Sequence, residues 1–206
     1  MLLFGAELHE AFLSDVCAAI ADGAFEAAVA WALEPSEPVP AGVGSWELPG
    51  LRQQGADLGE RIFRVLDHGA RDGAHVAAVG SDHPEIRPST LDRAFELLDG
   101  DADVVLGPTS DGGYYLIAVT ASALHRRLFE EIDWSTEAVC RQTLERCAEL
   151  SLVAELLPEG HDVDVPTDLE ALAERLIREP DGCPATRAAL GRLGLLESDP
   201  KQEQSS

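Results

Sequence analysis

Three short loops carry carboxylates where an α/β protein would do its chemistry. The apolar run Val76-Ala77-Ala78-Val79 stops at Gly80-Ser81-Asp82-His83-Pro84. Such a run reads as a buried parallel strand, so Asp82 stands at its carboxyl end, where open α/β sheets bind ligands. Asp111-Gly112-Gly113-Tyr114-Tyr115 and Asp162-Val163-Asp164-Val165-Pro166 are the other two loops. A carboxylate leaving a strand into a proline-containing turn can face a hard cation that bridges two phosphates. Read on one strand end, Asp162 and Asp164 share a face, and their charges repel unless a cation or hydrogen bonds compensate. A divalent metal held by Asp82 and Asp164 satisfies both loops.

Each of these residues also has an ordinary reading. Asp82 fits a turn or N-cap aspartate, and Asp111-Gly112 fits a hairpin connection. Gly107-Pro108-Thr109-Ser110 makes that link longer than a tight hairpin, and paired glycines let backbone approach a ligand closely. Tyr114 and Tyr115 face opposite sides of their strand, one for the core and one for a pocket. By the same alternation His83 points away from whatever Asp82 binds. A zinc site on His83, His161 and the aspartates lacks regular ligand spacing. Asp111, Asp162 and Glu137 are all candidates for a general base, and the pattern privileges none. Asp168 reads as a residue complementing a helix dipole.

The elements that must position these loops alternate along the chain. Helical spacing is predicted over 7–21 (Leu8, Phe12, Val16, Ile20), 58–69, 89–98, 136–150, 167–177 and 185–193. Strands are predicted over 25–33, 76–79, 103–106, 114–119 and 152–157, with 34–50 as a proline-rich loop. Capping patterns begin three of the helices, at Ser89/Asp92, Trp134-Ser135 and Thr167/Glu170. This is an α/β three-layer sandwich with a mostly parallel, partly mixed sheet. It forms a single domain over 1–195, followed by a disordered polar tail over 196–206.

Composition narrows the partners. The net charge is −23, with 38 acidic residues against 15 Lys and Arg, which argues against nucleic acid or anionic membrane surfaces. Small molecules are the expected partners. Lys201 is the sole lysine, which excludes Schiff-base and P-loop lysine chemistry. Four cysteines, Cys17, Cys140, Cys147 and Cys183, show no paired or zinc spacing and read as free thiols in a reducing cytosol. No apolar run approaches the ~18 residues of a membrane span, so a soluble, cytoplasmic protein is expected.

Taken in order, the motifs resemble a family. Gln54, Asp57-Leu58-Gly59-Glu60-Arg61, Gly80-Ser81-Asp82-His83-Pro84, Asp103-Val104-Val105-Leu106-Gly107-Pro108, Asp111-Gly112-Gly113-Tyr114-Tyr115-Leu116-Ile117, Ile132-Asp133-Trp134-Ser135 and Asp162-Val163-Asp164-Val165-Pro166-Thr167-Asp168-Leu169 look like the bacterial glycosyltransferase-A-like proteins first catalogued as a domain of unknown function. These are related to MobA-type and CofC-type nucleotidyltransferases. The resemblance covers about residues 6–195. It implies a nucleotide-diphospho-sugar transferase fold with Mg²⁺ or Mn²⁺ on Asp82 and Asp164. It also implies Asp111 at the catalytic position, and Gly112, Gly113, Tyr114 and Arg61 near substrate. The expected reaction is glycosyl transfer from a nucleotide-sugar to a small-molecule acceptor. The alternatives are nucleotidyl transfer from an NTP to a phosphorylated precursor, and a non-catalytic binding protein using the 34–50 loop. Members of the family begin with a strand and a lysine-containing nucleotide loop that this sequence does not show, so a fold lacking its first strand is expected, through a misassigned start or a shortened gene.

Overall fold

The computed structural model describes residues 4–23, 25–43, 46–179 and 181–196. Six helices, α1 (Phe4–Ala21), α2 (Leu58–Gly69), α3 (Pro88–Leu98), α4 (Val139–Glu149), α5 (Pro166–Arg178) and α6 (Pro184–Arg192), are interleaved with six strands. The strands are β1 (Val29–Trp31), β2 (Gly50–Arg52), β3 (Val76–Val79), β4 (Val104–Pro108), β5 (Tyr114–Val119) and β6 (Ala154–Leu156). The tail beyond residue 196 lies outside the described residues.

The strands form two sheets. A four-stranded sheet has the order β3-β5-β4-β6, with β5 antiparallel to both neighbours and β4 parallel to β6. Strands β3, β4 and β6 therefore run the same way, and their carboxyl ends share one edge. The parallel pair β1-β2 stands apart as a second sheet, so the strands of the expected sandwich are divided between two sheets. Strand β2 was not legible in the sequence, because three residues beside Pro49 carry no period.

Alternation sorts the side chains into two cores. Val105, Leu116 and Ala118, with Ala77 and Val79, pack with α1 and α3 through Val16, Leu91, Ala94 and Leu98. Val104, Leu106, Ile117 and Val119, with Ala78, meet α2 and α4 through Leu66 and Cys147. Strands β4 and β5 are covered on both faces, which is why they read as continuous apolar runs. A third cluster joins Leu8 and Phe12 of α1 to α5 and α6. Asp15 of α1, 5% exposed, accepts from the Ala185 and Thr186 amides at 3.0 and 2.8 Å. It thereby caps α6 from a neighbouring helix.

Helix starts differ from the expected caps. Arg87 precedes α3 without a side-chain cap, because Pro88 at the first position has no N–H to satisfy and a φ already suited to the helix. Helix α4 begins at Val139 rather than Thr136, since Ser135 adopts φ 63° and Thr136 Oγ1 is spent on Asp133 O and Ala138 N. Helix α5 is capped in reverse: Asp168 Oδ2 accepts from the amides of Asp164 and Val165 at 3.1 and 3.0 Å. Asp168 therefore also holds the loop that enters the helix.

Candidate active site

The expectation that Asp162 and Asp164 end a strand is corrected. Strand β6 stops at Leu156, and residues 161–164 have no regular structure. This segment instead crosses the carboxyl edge of the sheet, tied down at successive points. Leu157 N donates to Leu106 O at 2.8 Å, Gly160 N to Pro108 O at 2.8 Å, and Val163 N to Asp82 O at 3.2 Å. These bonds carry the chain from the end of β4 to the end of β3, over the start of β5. Asp162 and Asp164 reach Asp82 by this path, not by strand alternation.

Two stacked rings support the crossing. His83, 7% exposed, lies on Tyr115 with ring centroids 4.3 Å apart. A carbonyl can only accept, so His83 Nδ1 carries the proton it shares with His161 O at 3.0 Å, while Tyr115 Oη donates to Pro158 O at 3.2 Å. Burial holds the His83 pKa below its ordinary value, which keeps the ring neutral. Gly160 runs against both rings; a Cβ there would stand 2.7 Å from Tyr115 Cδ1 and 2.8 Å from His83 Cε1. A bulge aims Tyr115 at this position. Gly107 pairs with Leu116 and Pro108 with Tyr114, leaving Tyr115 as the extra residue. Its ring passes over Gly107, where any Cβ would lie 2.4 Å from Tyr115 Cζ.

Four carboxylates meet at this edge. The Asp162 pKa is pushed up to about 7, first by burial and then by the charges of Asp82, Asp111 and Asp164. Asp164 is also raised, by burial and by Asp82, Asp111 and Asp168. Buried Thr109 gives its one hydroxyl proton to Asp111 Oδ1 at 2.5 Å, and Gly113 N adds a bond at 3.0 Å. Asp162 lies near the same hydroxyl, yet its buried Oδ1 has no partner because that proton is already committed. Among the described residues none of the four enters a salt bridge, although the arginines pair widely elsewhere.

Residues 14–136, more than half of the chain, match the family described as an uncharacterized protein conserved in bacteria (DUF2064). The chain belongs to this family. The DUF2064 chain also resembles a crystal structure from Desulfovibrio desulfuricans G20, provisionally described as a nucleotide-diphospho-sugar transferase. The TM-score is 0.83 and the identity 26%, over 94% of this chain and 85% of that one. A second solved structure, 2-C-methyl-D-erythritol 4-phosphate cytidylyltransferase from Thermus thermophilus, matches at TM-score 0.52 and 21% identity, over 81% of this chain and 88% of that one. The second likeness is one of fold. No curated protein matches the chain.

In this DUF2064 protein Asp82, Asp111, Gly112, Gly113 and Asp164 all lie at the carboxyl edge. Tyr114 does not join them. Tyr114 turns the other way: its ring meets Trp134 edge-on and its hydroxyl is buried without a hydrogen-bond partner, beside Thr143 and Cys140 of α4. Arg61 folds back onto its own loop, with Nε 3.4 Å from Gly55 O. Thr109 and Gly160 shape the site without having been singled out as its residues, and Tyr115 is the tyrosine of the pair that turns toward it. A small residue between Glu159 and His161 was the one available signal for Gly160. Among the described residues no three His, Cys, Asp or Glu side chains group so that they could hold a metal ion, and no helix is long and apolar enough to cross a membrane.

Proposed function

We propose that this protein transfers a glycosyl group from a nucleotide-diphospho-sugar to a small-molecule acceptor, with Mg²⁺ or Mn²⁺ held by Asp82 and Asp164. The observation that carries this reading is the uncompensated gathering of Asp82, Asp111, Asp162 and Asp164, with Asp162 Oδ1 buried and unpartnered. A divalent cation at Asp82 and Asp164 would offset that repulsion. Two carboxylates would be enough, since Mg²⁺ commonly takes one or two and completes its shell with phosphates and water. When bound, the cation neutralises charge developing on the departing diphosphate.

The chain's own residues do the rest. Asp111 is oriented through Oδ1 by Thr109 and Gly113, and its Oδ2 has no hydrogen-bond partner among the described residues. In this reading Asp111 Oδ2 takes the acceptor's hydroxyl proton. The acceptor oxygen then bonds to the anomeric carbon, and the bond from that carbon to the diphosphate breaks. Its electron pair leaves with the nucleoside diphosphate. Gly112 and Gly113 keep the loop thin enough for substrate to approach backbone.

Thermal-shift titration of UDP- and GDP-sugars, with and without Mn²⁺, tests the reading. A ligand that binds only the native state raises the melting temperature. The expected result is a rise requiring metal and nucleotide-sugar together, with slow metal-dependent hydrolysis of the same donor. Pyrophosphate release from NTPs, with no response to nucleotide-sugars, would replace glycosyl with nucleotidyl transfer. A well-folded protein indifferent to both would leave a binding role.

A further inference from the structure

Beside the carboxylates a shallow groove of about 540 Å³ runs between α4 and the β4–β5 connection. Its walls are Pro108, Cys140, Leu144 and Ala148, closed at one end by Thr109 and Gly112. Those two residues also belong to the loop that holds Asp111, so groove and carboxylate share one wall. The wall is rigid. Gly112 adopts φ 90°, a Cβ on it would lie 2.2 Å from Glu137 O, and its own carbonyl accepts from Cys140 N at 2.9 Å. The loop is thus seated on the first turn of α4.

The chemistry of the walls is selective. Leu144 and Cys140 are continuous with the core beneath α4, and burial raises the Cys140 pKa, so its thiol is neutral and acts as apolar wall. Arg141, the one cation at the rim, is paired with Glu145 at 2.5 Å. Glu137 at the rim and the neighbouring aspartates repel an anion, which separates this groove from a second phosphate site. Leu156 follows Ala154 on the face that packs under α4 and is 50% exposed, which extends the apolar surface at the sheet edge.

We propose that this groove receives the body of an uncharged acceptor bearing an aliphatic or aromatic group, which then presents its reacting hydroxyl to Asp111. The inference rests on the transferase reading above and adds the class of acceptor. Continuity with the Asp111 loop selects the acceptor over the donor, whose diphosphate belongs at the cation.

The test uses n-octyl β-D-glucoside, below its micelle concentration, against glucose as the matched probe without a tail. Amide chemical shifts are followed in the whole protein. Octyl glucoside is expected to move α4 amides between Cys140 and Ala148 with saturation, and glucose to leave them in place at tenfold higher concentration. Ala148 is exposed, so Ala148→Arg blocks the groove at little risk to folding; it should weaken octyl glucoside at least tenfold at an unchanged melting temperature. Leu144→Ala should weaken it in the same sense. Shifts confined to other surfaces, equal responses to both probes, or affinity indifferent to Ala148→Arg would each overturn the proposal. Donor binding is read separately, at Asp82 and Asp164 with Mn²⁺ and a nucleotide-sugar. If that fails while α4 still responds, the transferase reading falls and the groove stands; the converse result removes the groove alone.

Discussion

The amide of Val163 donates to the carbonyl of Asp82 at 3.2 Å, and this one backbone bond joins the two ends of the candidate cation site. It sets the residues on either side of Val163 beside a carboxylate some eighty positions earlier in the chain. Asp82→Asn and Asp164→Asn should therefore each weaken Mn²⁺, measured by electron paramagnetic resonance in the presence of a nucleoside diphosphate, by about tenfold or more. Unchanged Mn²⁺ affinity in both variants would remove these residues from the site.

Tyr115 and His83 hold the same segment by different means. Tyr115→Phe keeps the stack and loses the bond to Pro158 O, and is expected to cost about 0.5–1.5 kcal/mol in urea unfolding. His83→Ala loses both stack and bond, and should cost about 1–3 kcal/mol. Because both bonds tie down the same 158–161 segment, the double variant should fall short of the sum. Strict additivity would mean that the two side chains do not act as one clamp.

Gly160→Ala places a methyl group against both rings, at 2.7 and 2.8 Å. Overpacking of this kind costs about 1–3 kcal/mol. Since the displaced segment carries Asp162 and Asp164, Mn²⁺ affinity should fall together with stability. Asp15→Ala is the control. It removes the cap on α6, lowers stability by about 0.5–2 kcal/mol, and should leave Mn²⁺ affinity where it was.

Asp162 sets a pH dependence of stability. Its carboxyl titrates near 3.8 when unfolded and at about 7 in the native protein. Between those values the native state holds a proton that the unfolded chain has lost, so stability contributed by this group is full below about pH 4 and is lost as pH rises to about 7. Asp162→Asn should raise the melting temperature at pH 8 relative to the parent, with a smaller difference at pH 4. Cation binding should release protons near neutral pH, read by titration calorimetry in buffers of different ionisation enthalpy. A variant equally stabilised at both pH values would show that Asp162 ionises normally.

The outer edge of β3 is open. Gly80 N bonds to Tyr115 O, so by antiparallel pairing the Ala78 amide faces β5 while those of Ala77 and Val79 face away. Among the described residues the latter two have no acceptor. Hydrogen exchange should be fast at Ala77 and Val79 and slow at Ala78. Equal protection at all three would mean that another strand covers this edge.

Much of the fold was legible because buried strands and amphipathic helices impose periods on a sequence. Val76–Val79 and Tyr114–Val119 stand out as apolar runs, and α2 begins at its capping Asp57 and ends as the pattern predicts. Residue type and the motif set likewise singled out Asp82, Asp111 and Asp164 as candidates, although Asp164 follows no strand. What sequence spacing could not reveal was how distant loops are pinned to one another. The bulge at Tyr115, the stack on His83, the passage of Gly160 beneath both rings and the inward turn of Tyr114 have no local period. Each depends on contacts between segments far apart in the chain. Whether Asp162 meets Asp82 is settled by a backbone bond that any residue except proline could make, so only the folded arrangement could decide it.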